Sequence, residues 1–368
     1  MSFDNYLVSP MGTVFGAWLL ALALCMASLH AALRLPKQRL IWDIPDRPNA
    51  LHLNPIPRIG GLALGFAVIC SILVFSNSGS LLLPMCMALA LMLISFFDDR
   101  WQLSAALRLS AHVAAAVLVT LFWLRVFIVQ MPTNSATHWL LNPAGTMAIV
   151  MTITWLTNLY NFMDGADGIA GGMTVVGFGS YAILAFMATA ASPSTGNMAG
   201  MNVQDAAMIA VVSAAIAGAG LGFLAFNFPP ARVFMGDAGS IPLGFLAAII
   251  GVHGVLVGIW PWFIPALIFS PFIIDASATL LKRLLQRKII WHAHREHYYQ
   301  QLILSGWSHR RTAVAYYVLM VATSLSAVTA KVIGEAAPLL RDVILLTWVV
   351  IYVLLLLTLE RRFGKQKK

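Results

Sequence analysis

Three acidic words carry the chemistry available to this sequence: FFDDR around Asp98 and Asp99, NFMDGADG with Asn161, Asp164 and Asp167, and VFMGDAGS around Asp237. Adjacent carboxylates repel, and a buried pair stays ionised only beside a cation or a basic partner. Hard oxygen donors of this kind suit Mg²⁺, or Mn²⁺, better than zinc. Plainer readings stand next to these. Asp98 and Asp99 could cap the following helix, and Asp-Gly pairs make ordinary turns. Asn161, Asp164 and Asp167 recur at every third residue. A helix through them would put all three on one face, ready for a polyanionic or hydroxyl-rich ligand. Asn227 and Arg232 precede Asp237, which we expect to be a metal ligand.

The basic counterpart is the run WHAHREHYYQ, with His292, His294, Arg295 and His297, followed by His309. No cysteine accompanies these histidines and no HExxH is present, so gripping a phosphate is better chemistry for them than binding zinc. A further polar pocket is expected from DIPDRPNALHLNPIPRIGG, through Asp43, Arg47, His52 and Arg58. Its prolines and glycines impose a fixed, non-helical path. Leu284 and Leu285 suggest an amphipathic surface helix before the histidines. His30, His112, His138 and His253 stand alone and read as packing or interface residues, as do Cys25, Cys70 and Cys86.

The elements that must position these side chains are membrane helices. Of 368 residues 60% are hydrophobic and only 10% charged, against about 25% charged in a soluble domain. A bilayer crossing takes roughly 20 apolar helical residues. The expected fold is an all-α polytopic membrane protein of about eleven spans. They lie near 11–33, 59–76, 81–97, 109–127, 143–160, 168–190, 205–226, 240–258, 261–281, 312–333 and 342–359. Basic residues follow the first span rather than precede it, so it reads as a retained helix. With the N-terminus outside, every Lys and Arg except Arg125, Lys331 and Arg341 falls on the inner side, as the positive-inside rule requires. Asp43, Asp46, Asp98, Asp99, Asp164, Asp167, Asp237 and Glu296 map to that side too, while Asp275 lies inside a span. The net charge of +9 thus reports orientation toward anionic headgroups rather than nucleic-acid binding. We expect one membrane domain, 1–368, with cytoplasmic loops near 34–58, 98–108, 161–167, 227–239 and 282–311 and a cytoplasmic tail at 360–368.

A divalent cation, a phosphate grip and a membrane surface together point to phosphoryl transfer onto a lipid. Two other classes compete: a secondary transporter of an anionic or phosphorylated solute, and a lipid-phosphate hydrolase. Acids gathered at span ends, without an internal repeat, weigh against the transporter.

The ordered words PIPRIGG, DD, NFMDGADGIAGG, VFMGDAGS and HREH resemble those of the polyprenyl-phosphate N-acetylhexosamine-1-phosphate transferases, glycosyltransferase family 4. The resemblance implies that undecaprenyl phosphate attacks the β-phosphate of a UDP-activated amino sugar, with Mg²⁺ as cofactor, giving undecaprenyl-diphospho-sugar and UMP. It makes Asp237 the leading metal ligand and places Asp98 and Asp99 at the acidic pair, with Asp98 oriented at the lipid phosphate and Asp99 close to the metal. It puts Asn161, Asp164 and Asp167 at nucleotide and metal-proximal contacts; Asn227, His52 and Arg58 are further expected substrate-binding residues. Arg295 and His297 fall at the basic motif near the diphosphate. Two departures stand out: Gln102 where some members carry a third acid, and Tyr299 and Gln300 where others continue with histidines. The HAHREHYYQ form is similar to the branch that initiates O-antigen in the inner membrane of bacteria, rather than to the pentapeptide translocase. The implied partners are undecaprenyl phosphate, a UDP-N-acetylated amino sugar, membrane lipids and, as an assembly, a homodimer.

Overall fold

The computed structural model describes residues 10–36, 38, 40–45, 51, 54–76, 81–101, 103–130, 142–190, 203–289, 294–334 and 336–366. Each of the eleven apolar stretches forms helix. In chain order these are α1 (Pro10–Ala32), α2 (Gly60–Phe75), α3 (Leu82–Trp101), α4 (Ala105–Val119), α5 (Arg125–Gln130), α6 (Pro143–Phe162), α7 (Ile169–Ala190), α8 (Val203–Asn227) and α9 (Asp237–Leu256). There follow α10 (Phe263–Ile268), α11 (Ser270–Leu285), α12 (Tyr298–Leu304), α13 (His309–Ile333) and α14 (Pro338–Gln366). A π-helical turn, Thr120–Leu124, joins α4 to α5 in one continuous rod. Two short strands, β1 (Trp42–Asp43) and β2 (Ile56–Pro57), pair antiparallel.

Among the described residues seven helices are long and apolar enough to cross a bilayer: α1, the α4–π rod, α7, α8, α9, α13 and α14. The protein is a multi-pass membrane protein, but the count of eleven goes beyond these seven. With 16 residues, α2 reaches only about 24 Å, short of the roughly 30 Å hydrocarbon layer. The expected span at 261–281 is broken. Its helix stops at Phe269 and restarts at Ser270 with Pro271 in the first turn, where a missing N–H costs nothing. The expected amphipathic surface helix is instead the end of α11, whose Leu281, Leu284 and Leu285 are exposed.

Packing is centred on α8, whose Ala- and Gly-rich sequence lets α7, α1 and α2 approach closely. The apolar core runs through α7, α8 and α9, while α14 lies at the edge with most of its leucines and valines exposed. His253 is not isolated: it is fully buried, its ring centroid 4.7 Å from that of Trp123 and its Nε2 3.9 Å from Asp205.

The chain arranges one end of the bundle with particular care. After β2, Phe234 donates its N–H to the Pro57 carbonyl at 2.9 Å, and Gly60 and Gly61 donate to the Phe234 and Met235 carbonyls at 2.9 Å each. The PRIGG and FMGD segments are thereby stitched together. A Cβ on Gly61 would sit 2.3 Å from the Gly239 nitrogen, so only glycine lets the start of α2 lie against the start of α9. Gly236, at φ 72°, then turns the chain into α9 so that Asp237 is its first residue.

Candidate active site

Asp237 opens α9, where the unpaired N–H groups and the helix dipole favour a negative charge. Its Oδ1 accepts from Asn161 Nδ2 at 3.0 Å, and the same amide donates to Ser240 Oγ at 3.0 Å. Its Oδ2 lies 3.6 Å from Arg108 Nη1. That nitrogen also donates to Asp98 Oδ2 at 3.2 Å. Carboxylates from two helices 139 positions apart in the chain therefore meet on one guanidinium, itself 39% exposed at the side chain. Asp98 is buried, and its Oδ1 accepts from the Leu103 N–H at 2.6 Å, closing the turn from α3 into α4. Ser104 caps α4 through the Leu107 N–H, which fixes the helix that carries Arg108.

One turn further along α4, His112 sits beside Asn158, Nδ1 to Oδ1 3.2 Å, near enough to Asp237 and Asp98 to feel their charges. The reading of His112 as an isolated packing residue is thereby corrected. Arg108, His112, Asn158 and Ser240 were not singled out by the sequence. Asn158 and Asn161 share the inner face of α6, a signal present in the spelling NLYN but hidden by the acids after it.

Asn161, Asp164 and Asp167 do not share a helical face. Met163 caps α6, Asp164 donates its N–H back to the Asn161 carbonyl at 3.1 Å, and Gly168 at φ 79° completes the turn into α7. Asn161 reaches Asp237. Asp164 is half-buried; burial, then the Asp275 charge, then that of Asp164, pushes the Tyr299 phenol well up. Asp167 is buried and ties loops together: it accepts from the Ala231 N–H at 3.0 Å and lies 3.2 Å from His309 Nδ1. Asn227 does similar work, accepting from the Gly168 N–H at 2.8 Å and donating to the Val233 carbonyl at 2.9 Å. Arg58 pairs with Asp43 at 3.1 Å on the β1–β2 ribbon, whose backbone holds the segment leading to Asp237. His52 and the Asp99 side chain lie outside the described residues.

The histidine motif is docked by an acid from inside the bundle. Asp275, in mid-α11 and 4% exposed, accepts from the Tyr298 and Tyr299 N–H groups at 2.9 and 3.1 Å and from the Tyr316 hydroxyl. His297 Nδ1 lies 3.5 Å from its Oδ1. His297 is buried at the N-cap of α12, its ring 5.9 Å from Phe162, and the Tyr299 hydroxyl donates to the Phe162 carbonyl at 2.9 Å. The motif thus lies against the end of α6, next to the carboxylate cluster. Arg295 is half-buried beside it. Burial, the neighbouring His297 and the cationic Arg283 hold His294 down to about 4, and its Nδ1 accepts from the Glu296 N–H at 3.3 Å. A neutral imidazole does not grip phosphate by charge, which leaves Arg295 as the permanent cation of the motif.

Among the described residues no three Asp, Glu, His or Cys side chains converge as a ready-made metal cage. The donor set still fits Mg²⁺, which is commonly held by one or two carboxylates with substrate phosphates supplying further oxygens. Asp98 and Asp237 already face one cationic centre.

The chain is similar in sequence to known proteins over most of its length. The glycosyl transferase family 4 profile matches residues 81–255, the stretch from α3 to α9 that supplies both carboxylates. A probable undecaprenyl-phosphate N-acetylglucosaminyl 1-phosphate transferase of Bacillus subtilis is 28% identical over 296 residues, 78% of this chain and 77% of the relative. A decaprenyl-phosphate N-acetylglucosaminephosphotransferase of Mycobacterium tuberculosis is 26% identical over 297 residues, 74% of this chain and 71% of the relative. A phospho-N-acetylmuramoyl-pentapeptide-transferase of Mycobacteroides abscessus is 31% identical over 176 residues, 46% of each chain. The first two of these relatives are polyprenyl-phosphate N-acetylglucosamine-phosphate transferases by name, and the chain, a multi-pass membrane protein, is similar to glycosyl transferase family 4 over residues 81–255.

Proposed function

We propose that the protein transfers an N-acetylhexosamine-1-phosphate from a UDP-sugar to undecaprenyl phosphate at the inner face of the bacterial cytoplasmic membrane. The observation that carries this reading is the meeting of Asp98 and Asp237, with Asn161, around Arg108 at one end of the bundle. An oxygen of the lipid phosphate attacks the β-phosphorus of the donor; the bond to the bridging oxygen breaks, and UMP leaves with the electron pair. Mg²⁺, held by Asp237 and Asp98, would neutralise charge on the donor diphosphate. Arg108, which both carboxylates face, would donate to phosphate oxygens, and His297 and Arg295 would approach the diphosphate from the α12 side. The second pKa of a phosphate monoester is about 6, so the acceptor is largely dianionic at neutral pH and positioning matters more than a base. Both oxygens of Asp98 already have donors, which supports a positioning role for that residue.

The relatives' names support N-acetylglucosamine as the first sugar to test, and a cell-envelope glycan, O-antigen among them, as the polymer that the product starts. The test is UMP release by the purified protein given undecaprenyl phosphate, Mg²⁺ and a panel of UDP-N-acetylhexosamines. Lipid-dependent UMP with at least one donor is expected. UMP release without the lipid would make the protein a hydrolase, and uptake into vesicles without a covalent product would make it a transporter.

A further inference from the structure

A second ligand position lies on the far side of α12. Between α11, α13 and α14 runs a groove of about 370 Å³, walled by side chains such as Leu319, Ala322, Ile351 and Leu355. It extends along α14 from Leu359 to Trp348, about 17 Å of helix and close to half the roughly 30 Å hydrocarbon layer. The groove is therefore about one leaflet deep, the reach of a single acyl chain.

Its mouth is polar in a specific way. Trp307 closes the groove at the start of α13, and two guanidiniums stand over that one ring: Arg311 at 4.1 Å and Arg362, from the end of α14, at 5.5 Å. Tryptophan belongs at the headgroup level of a bilayer, and exposed arginines there attract anionic headgroups. The acid closest in sequence to Arg362 is already engaged, since Glu360 pairs with Lys282 at 2.6 Å and accepts from the Tyr298 hydroxyl at 2.8 Å. The Asp275 oxygens that reach this wall have donors of their own. Among the described residues neither guanidinium pairs with a carboxylate, so what remains is an apolar slot under two cations.

We propose that this slot is a binding site for one anionic glycerophospholipid of the inner leaflet, its phosphate on Arg311 and Arg362 and one acyl chain along α14. The lipid is distinct from the acceptor of the transfer reaction, because neighbouring residues of α12 face opposite ways. Tyr298 lines the groove, while Tyr299 bonds to Phe162 on the catalytic side. Bound there, the lipid fills the space between the peripheral α14 and the rest of the bundle and braces the helix pair that docks the histidine motif.

Native mass spectrometry of the full chain, delipidated and then offered phosphatidylglycerol and phosphatidylcholine in equal amounts, tests this. At about 1 kcal/mol for each arginine near the surface, the wild type should prefer phosphatidylglycerol by roughly thirtyfold. The double variant Arg311→Gln/Arg362→Gln should lose that preference, and Arg310→Gln should keep it. Leu319→Trp should abolish retention of both lipids by filling the slot. Equal retention of the two lipids by the wild type would overturn the proposal, as would an undiminished preference in the double variant. Displacement of phosphatidylglycerol by stoichiometric undecaprenyl phosphate would also overturn it, by giving the slot to the acceptor.

Discussion

Two sets of carboxylates hold opposite ends of the same site, and they are built differently. Asp275 is surrounded by fixed donors: two backbone N–H groups and the hydroxyls of Tyr316 and Thr279. Asp98 and Asp237 each keep one fixed donor, the Leu103 N–H and the Asn161 amide, but their other oxygens share one half-exposed guanidinium on a long side chain. A carboxylate satisfied by rigid neighbours is part of the scaffold, because nothing can take its donors without breaking the fold. Carboxylates held by an arginine that can swing to a phosphate are free to change partners. The comparison assigns structure to the acid inside the span and ligand exchange to the acids at the helix ends.

The comparison is sharpest when each set is broken separately. Asp237→Asn should lower turnover by about a thousandfold while leaving the melting temperature nearly unchanged, since one charge-stabilising group at a reacting centre is worth about 10²–10³ in rate. Arg108→Gln should cost about a hundredfold, and Arg108→Lys less, because a point charge reproduces part of the field but not the planar fork. Asp275→Ala should behave in the opposite way. It strands two backbone donors and a hydroxyl, so unfolding by heat or denaturant should show a loss of about 3 kcal/mol, while the Mg²⁺ dependence of the surviving enzyme stays that of the wild type. An Asp275→Ala protein of normal stability would break the assignment.

The smallest expected effect concerns pH. His294 stays neutral down to about 4 when folded and titrates near 6.5 when unfolded. The unfolded chain therefore binds more protons between those values, and stability is lost as pH falls from about 6.5 toward 4. Melting temperatures at pH 7.5 and pH 5 should differ more in the wild type than in His294→Gln.

Much of this was legible in the sequence, because bilayer thickness and charge asymmetry act locally. The helices lie where the apolar stretches are, and Asp98, Asp237 and Asn161 meet as their chemistry requires. What stayed hidden is long-range. Arg108 looked like one more inner-face cation, since the positive-inside rule makes every such arginine look like an anchor. Asp275 was noticed but had no role until α12 was seen to dock its N-terminus there. The threefold spacing of Asn161, Asp164 and Asp167 suggested one face, but α6 ends at Met163, so Asn161 turns to Asp237 while Asp167 bonds to the Ala231 backbone. Asp167 and Asn227 serve the backbone, a use that the sequence alone does not separate from ligand binding.

The central claim is that α3 and α9 bring their carboxylates to one divalent cation bound with the donor's diphosphate. Binding of Mn²⁺, followed by electron paramagnetic resonance in the presence of UDP, tests it most directly. The account predicts one bound ion in the wild type, at least tenfold weaker binding in both Asp98→Asn and Asp237→Asn, and wild-type binding in Asp275→Asn. Unchanged Mn²⁺ affinity in Asp237→Asn would contradict it.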